Sequence, residues 1–146
     1  MELKPHFKIM IVEDNDFYNK LLTRHIQNYI SPIAVSQGFT FELFCYTTFK
    51  DFSLNLNDEI DFILCDYFLN DGYTAINLLE LVNKLIKRVR VIVISKSQDI
   101  KTSIRTLLKG AVEFLAKDRE TLKKSGHILE EMIYELLEKR RNTKLN

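Results

Sequence analysis

Three short segments of the chain are apolar with almost no alternation, which is typical of strands covered on both faces of a parallel sheet. They span residues 7–12, 61–65 and 89–94 and are rich in β-branched and aromatic side chains. Residues 39–46 alternate more and predict a strand nearer the sheet edge, while residues 112–115 predict a short fifth strand. The pattern therefore indicates five strands, with the three continuous runs in central positions.

Segments with helical spacing of apolar residues separate the strands. The first helix is predicted to begin with Asn15 or Asp16 as its cap and to end at Ser31 and Pro32. A weak, short helix over residues 51–56 is predicted to follow the second strand.

Three further helices are predicted in the second half of the chain. The first has a wide apolar face between residues 76 and 86. The next covers residues 100–109, with Ser97 as its cap and Gly110 as its stop. The last carries its apolar residues between positions 122 and 137.

The resulting order is five strands, each followed by a helix. Helical crossovers between parallel strands are right-handed, and they cover both faces of the sheet. The sequence therefore predicts an α/β fold with a doubly wound parallel sheet. Binding sites in such sheets lie beyond the carboxyl ends of the strands, where the strand order reverses.

The length of 146 residues is that of one domain, and a hydrophobic content of 46% is enough for a sizeable core. We expect a single domain over residues 1–146, with its core at about 7–138. Residues 139–146 form a polar, basic tail, which favours a solvated helix end over a binding patch.

Charge and composition exclude several classes of function. The 21 basic and 20 acidic residues give a formal net charge of +1, so no general field attracts nucleic acid or an anionic membrane. No apolar run has the length of a membrane helix or a signal peptide, so we expect a soluble, cytoplasmic protein. Cys45 and Cys65 show no metal-ligand spacing with the histidines, and we expect both to be buried free thiols.

Polar residues that could bind a ligand or take part in a reaction stand at the ends of four of the predicted strands. Glu13 and Asp14 end the first strand, Asp66 the third and Ser95 the fourth, and Lys117 follows the fifth. Each alone has an ordinary structural explanation as a helix cap, a turn residue or a surface lysine. Together they place three acids, one hydroxyl and one ammonium at the same edge of the sheet.

The charges of this set do not balance. Glu13, Asp14 and Asp66 carry three negative charges, and Lys117 supplies one positive charge, so the carboxylates repel one another unless a cation intervenes. Hard oxygen ligands favour Mg²⁺, which binds one or two carboxylates and keeps positions for water and phosphate oxygens. The set therefore predicts a magnesium site at which a carboxylate can attack a phosphoryl group.

Four segments resemble the response-regulator receiver family of two-component signalling. They are "KIMIVEDN", "DFILCDYFLNDG", "VIVIS" and "GAVEFLAKD", in the family's order and at similar separations. The match covers about residues 7–138. The resemblance implies the flavodoxin-like (βα)5 fold with strand order 2-1-3-4-5. It also implies a phosphoacceptor switch rather than an enzyme.

The resemblance also implies roles for individual residues. It assigns phosphoacceptance to Asp66 and direct Mg²⁺ ligation to Asp14, Asp66 and the backbone carbonyl of Phe68, with Glu13 acting behind these ligands. It assigns contact with the phosphoryl group to Ser95 and Lys117, Ser95 being the residue that moves, and an inward-turning switch role to Phe114. For Phe114, an ordinary core position is an equally good explanation.

Partners follow from the same resemblance. A sensor histidine kinase or a histidine phosphotransfer protein would donate the phosphoryl group. The added charge would reshape the face formed by the fourth helix, fifth strand and fifth helix, which would bind a target or a second copy. Exposed apolar residues between 100 and 108, together with Leu115, are the expected contacts. The domain itself is not expected to bind nucleic acid.

The chain departs from the family pattern around the acceptor. Asn70 replaces the usual proline, so the turn after Asp66 is expected to be looser or differently shaped. Lys96 replaces a small residue and would either shield the acyl phosphate or pair with Glu13 or Asp71, pairing being slightly favoured. Asp118 replaces a cis-proline, which leaves the preceding peptide bond free to be trans, and it suits the N-cap of the last helix.

Other functions fit the residues less well. A haloacid-dehalogenase-like phosphatase needs a second acid two positions after the nucleophile, where this chain has Phe68, and a Gly-rich nucleotide loop cannot be formed from four scattered glycines. The remaining alternatives are a receiver-shaped interaction module that is never phosphorylated, and the receiver fragment of a longer transcriptional regulator.

Overall fold

The computed structural model describes the backbone of residues 3–97 and 99–145, and the side chains of residues 3–97 and 99–143. Five strands alternate with five helices. In chain order these are β1 His6–Val12, α1 Asp16–Gln37, β2 Thr40–Tyr46, α2 Phe49–Asn55, β3 Phe62–Asp66, α3 Ala75–Val82, β4 Arg90–Ser95, α4 Ile100–Leu108, β5 Glu113–Ala116 and α5 Thr121–Leu145.

All four strand pairings are parallel, and the strand order is β2-β1-β3-β4-β5. The fold class and strand order expected from the sequence are confirmed. The order reverses at β1, between β2 and β3, so the carboxyl ends of β1 and β3 lie side by side. In the β1–β3 register, Val12 is opposite Cys65, and the acidic residues follow directly on both strands.

Two apolar clusters cover the two faces of the sheet. One joins alternate residues of the central strands to α2 and α3, and the other joins the remaining residues to α1 and α5. β1, β3 and β4 are almost fully buried, whereas β2 alternates and lies at the edge. Continuous apolar runs therefore mark the central strands here, because helices pack on both sides of them.

The first helix is longer than predicted, since it continues through Pro32 to Gly38. The apolar spacing persists beyond the proline, and Ala34 is buried against the core. Pro32 has no backbone N–H to donate, and beside it the Ser31 hydroxyl donates to the carbonyl of Gln27 at 2.6 Å. Gly38 ends the helix with a left-handed φ of 75°, and its N–H donates to the Ala34 carbonyl. The predicted end at Ser31 and Pro32 is therefore wrong.

Three local expectations need correction. Asp99, not Ser97, caps α4, because its carboxylate accepts the N–H of Lys101. The third helix ends at Val82, and Ile86 lies in the following turn with 97% of its surface exposed. Cys45 is exposed on the edge strand, so only Cys65 is a buried thiol, although both are free as expected.

Candidate functional site

The carboxyl ends of β1 and β3 bring three acidic side chains together. Glu13 and Asp14 follow β1, and Asp66 is the last residue of β3. One carboxylate oxygen from each of the three lies within 4.8 Å of the other two. The charge cluster expected from the sequence therefore exists as a compact group.

Lys117 supplies the positive charge beside this group. Its backbone N–H donates to the Ser95 carbonyl at 2.8 Å, which fixes the chain where it leaves β5. The ammonium forms an ion pair with Glu13, and its nitrogen lies 3.8 Å from Oδ2 of Asp66. Both Glu13 and Lys117 are almost fully buried, so solvent screens this pair little.

Burial raises the pKa of Asp66 from 3.8 to about 8, and the negative charge of Glu13 and a hydrogen bond with its carboxyl group add to this effect. Lys117 opposes the shift without cancelling it. The site is thus short of positive charge when Asp66 is ionised. A divalent cation with oxygen ligands fits this donor set, because it would supply the missing charge.

The loop between β3 and α3 is closed by backbone hydrogen bonds. The N–H of Leu69 donates to the Tyr73 carbonyl at 3.0 Å, and the N–H of Ala75 donates to the Tyr67 carbonyl at 2.8 Å. Within the described residues, the Phe68 carbonyl accepts no hydrogen bond, and it is available as a ligand.

Side-chain contacts join the same loop to α2 and α3. The rings of Tyr73 and Phe49 stack with centroids 4.1 Å apart, which ties the loop to α2. Thr74 caps α3 and forms a reciprocal pair of hydrogen bonds with Asn77. Asn70 was expected to make the turn looser or differently shaped; these contacts contradict a looser turn, and the different shape stays a prediction.

Ser95 is the last residue of β4, the strand next to Asp66, and Lys96 follows it. Asp66 lies opposite Ile94 in the register, so Ser95 is one residue beyond the pair, and its side chain is fully buried. The Ser95 hydroxyl accepts the N–H of Ser97 at 3.1 Å. Its own hydroxyl hydrogen can still be donated.

Lys96 is exposed and lines a cavity of about 400 Å³ with four other residues: Asn15, Phe17, Tyr18 and Lys117. In the part of the chain that the structure describes, Lys96 forms no ion pair. The favoured pairing with Glu13 or Asp71 is therefore wrong, and Glu13 pairs with Lys117 instead.

Phe114 is half-buried and extends a row of aromatic rings that begins beside the acceptor. Its ring lies 6.3 Å from that of Tyr67, which lies 4.8 Å from the ring of Phe68. Phe68 is 56% exposed, and Tyr67 is buried. Phe114 thus packs against the residue that follows Asp66, beside the apolar cluster on the α2 and α3 side of the sheet.

The segment after Lys117 turns directly into the last helix. No peptide bond among residues 3–97 and 99–145 is cis, and the bond before Asp118 is accordingly trans. The Asp118 carboxylate accepts the N–H of Glu120 at 2.8 Å, and its own N–H donates to the Thr121 hydroxyl. Asp118 therefore forms a hydrogen-bonded turn just before α5, which begins three residues later at Thr121, and its role as the N-cap stays a prediction.

Two residues of the site were missed from the sequence, and both lie on the first turns of α1. Asn19 is buried, and its amide donates to the carbonyls of Glu13 and Tyr46, each at 3.0 Å. Tyr18 lies under the Lys117 ammonium, 4.1 Å from its ring centroid. Their only signal in the sequence is that a helix begins directly after the acidic pair.

The chain shares its fold with solved receiver domains. The non-phosphorylated HemR receiver domain from Leptospira biflexa matches with a TM-score of 0.72 and 21% identity, over 89% of this chain and 94% of that one. A CheY-like response regulator receiver domain protein from Methanospirillum hungatei matches with a TM-score of 0.65 and 22% identity, over 92% and 99%. A response regulator receiver domain from Rhodospirillum rubrum matches with a TM-score of 0.70 and 18% identity, over 84% and 93%.

These likenesses establish the flavodoxin-like receiver fold. No protein-family model matches the chain, and no curated protein is similar in sequence. Within the described ranges, none of the helices combines the length and apolar character needed to span a membrane.

Proposed function

We propose that this chain is a response-regulator receiver that accepts a phosphoryl group on Asp66. The observation that carries the proposal is the cluster of Glu13, Asp14 and Asp66 with the buried ammonium of Lys117. The cluster lies at the carboxyl ends of the strands, where doubly wound sheets bind ligands. The receiver fold is typically that of a signalling switch, and we propose a switch rather than an enzyme that turns over a substrate. We propose that residues 1–146 form a single receiver domain.

The proposed reaction is the transfer of a phosphoryl group from a phosphohistidine. An oxygen of the ionised Asp66 carboxylate forms a bond to phosphorus while the bond between phosphorus and the imidazole nitrogen breaks. The imidazole leaves with the electron pair, and Asp66 becomes an acyl phosphate. The donor would be a sensor histidine kinase or a histidine phosphotransfer protein, and we propose the cytoplasm as the compartment of both proteins.

A Mg²⁺ ion fits the carboxylate cluster described above. Asp14, Asp66 and the free carbonyl of Phe68 would hold the ion, and it would offset negative charge on the carboxylates and the phosphoryl oxygens. Glu13 is already paired with Lys117 and would act from behind these ligands. Lys117 would contact a phosphoryl oxygen with its ammonium, and Ser95 would donate its hydroxyl to another.

The switch would be transmitted from Ser95 and Phe114 to α4. This helix is inverted relative to an ordinary surface helix: Thr106 is buried, and the large apolar residues are exposed. The exposed apolar residues, which we call the α4 apolar face, are Ile100, Ile104, Leu107 and Leu108. Leu115, expected to be part of this surface, is buried in the core, so that expectation is wrong.

The charges beside the α4 apolar face favour a particular partner. Lys101 and Arg105 lie one turn apart on α4, Lys109 is the residue that caps its end, and all three are exposed. A second copy docking through α4 alone would bring like charges together. We therefore propose, as the target, an acidic segment with apolar side chains rather than a homodimer formed by α4.

Phosphorylation from a small donor tests the proposal. The protein is incubated with Mg²⁺ and acetyl phosphate, and its intact mass is measured before and after base treatment. The expected result is a base-labile, acid-stable phosphoryl adduct on the wild type and no adduct on Asp66→Asn. The exposed Asp71→Asn in the same loop serves as a matched control and should be modified like the wild type. A wild type without the adduct would leave the unphosphorylated interaction module as the better description.

A further inference from the structure

The Lys117 ammonium makes two side-chain contacts, one with a carboxylate and one with an aromatic ring. It pairs with Glu13 on one side, and on the other it lies 4.1 Å above the ring centroid of Tyr18. Only 7% of the Lys117 side chain is exposed. The attraction between a cation and an aromatic ring is stronger when little solvent reaches the cation, and little reaches the Lys117 side chain.

Lysine needs such a restraint because its four-carbon stem is flexible and its ammonium attracts any nearby carboxylate. Lys117 has two candidates, Glu13 in direct contact and Asp66 at 3.8 Å. Asp118, the next residue, directs its carboxylate to the start of α5 and does not restrain the ammonium. Contact with the Tyr18 ring therefore restrains the ammonium end of the Lys117 side chain.

Tyr18 is itself well anchored. Its backbone N–H donates to the Asn15 side chain at 2.8 Å, within the cap of α1, and its ring packs against the apolar cluster on the α1 side of the sheet. Its hydroxyl is buried near the Thr121 side chain, without a hydrogen bond of good geometry in the described parts of the chain. The ring rather than the hydroxyl thus makes the useful contact.

We propose that Tyr18 is a positioning residue, whose ring holds the Lys117 ammonium between Glu13 and Asp66 for contact with the phosphoryl group. This inference rests on the proposed function, because the contact matters only if Asp66 is phosphorylated. It assigns the ring a kinetic role that packing alone would not give it.

Two substitutions at one position separate the ring from the volume it fills. Tyr18→Phe keeps the ring and removes the hydroxyl, whereas Tyr18→Leu keeps an apolar side chain and removes the ring. With acetyl phosphate as donor, the maximal phosphorylation rate of Tyr18→Leu should fall about tenfold, and Tyr18→Phe should restore the wild-type rate. The Mg²⁺ affinity, measured separately, should remain within about twofold of the wild-type value in both variants, since Tyr18 is not a proposed ligand.

A double variant and a control complete the kinetic test. Lys117→Met should slow the reaction, and adding Tyr18→Leu to it should cause no further loss, because the ring acts through the lysine. Tyr134→Leu removes an aromatic ring of α5 that is 38% exposed and does not line this cavity, and it should react like the wild type. An additive loss in the double variant would overturn the inference.

A spectroscopic measurement keeps this inference separate from the proposed function. The methylene protons next to the Lys117 ammonium should show a ring-current shift in the NMR spectrum of the unphosphorylated protein. That shift should persist in Tyr18→Phe and disappear in Tyr18→Leu. A wild type that is not phosphorylated would contradict the proposed function, whereas a phosphorylated Tyr18→Leu with an unchanged rate would contradict only the role of Tyr18.

Discussion

The side-chain amide of Asn19 donates to the backbone carbonyl of Glu13 at 3.0 Å, and so joins α1 to the end of β1. The same nitrogen donates to the carbonyl of Tyr46 at the end of β2. One buried amide thus fixes the backbone on which the acidic pair stands, across two neighbouring strands.

Removing this amide should destabilise the fold. Asn19→Ala leaves two carbonyls without that donor and opens a small space, so the free energy of unfolding should fall by about 2–3 kcal/mol in urea titrations. Asn28→Ala, at an exposed position of the same helix, should change it by less than about 0.5 kcal/mol. Equal effects of the two substitutions would show that the bridge contributes nothing.

The ionisation of Asp66 should make stability depend on pH. Its pKa is raised from 3.8 to about 8, so between these values the folded protein retains a proton that the unfolded chain has released. This stabilising contribution is complete below pH 3.8 and is lost as the pH rises towards 8. Asp66→Asn cannot ionise, and in EDTA at pH 8 it should be more stable than the wild type by about 2 kcal/mol, a value reduced for screening by water.

The advantage of Asp66→Asn should shrink as the pH is lowered towards 4, and urea unfolding at several pH values measures it. Asp71→Asn replaces an exposed carboxylate of the same loop and should follow the wild type at every pH. A pH-independent difference between Asp66→Asn and the wild type would contradict the assigned cause.

Magnesium should stabilise the protein through the same carboxylates. At pH 8, a concentration ten times the dissociation constant should add about 1.4 kcal/mol to the free energy of unfolding. Asp14→Asn and Asp66→Asn should each lose most of this gain, because each removes a proposed ligand. Thermal unfolding with and without MgCl2 measures the effect, and Asp71→Asn again is the control. Full retention of the gain in Asp14→Asn would remove that residue from the site.

The inverted pattern of α4 can be tested by substitutions on its two sides. Ile104→Ser, on the α4 apolar face, should change the free energy of unfolding by less than about 0.5 kcal/mol. Thr106→Leu should lower it by about 1–3 kcal/mol, because the larger side chain has no room under the helix and the hydroxyl bond to the Thr102 carbonyl is lost. Chemical denaturation of the two variants gives both values, and a reversed order would mean that α4 packs the other way round.

The strands and their order were predictable because the physics behind them is regular. Continuous apolar runs mark buried parallel strands, and parallel strands place their carboxyl ends at one edge of the sheet. This is why Glu13, Asp14 and Asp66 could be expected to meet. The register between β1 and β3 places all side chains of the two strands at once. The positions of the strand ends in the sequence are therefore enough to predict that the three carboxylates group together.

Other features could not be predicted, because they depend on contacts between distant segments. Pro32 stays in the helix because the apolar face continues past it, and Ser97 loses the cap of α4 to Asp99. The positions of Tyr18 and Asn19 follow from how α1 docks on the sheet. Lys96 lacks the expected partner, and Glu13 pairs with Lys117 from the distant β5 end instead.

The inverted packing of α4 also has a consequence for motion. A helix that buries a threonine and exposes its leucines forfeits little apolar contact when it lifts or turns on the sheet, so the free energy of such an opening is small. The gain of one or two hydrogen bonds to a charged group at the sheet edge is of comparable size. Under the proposed function, phosphorylation of Asp66 would therefore need to supply only a small free energy to reposition α4.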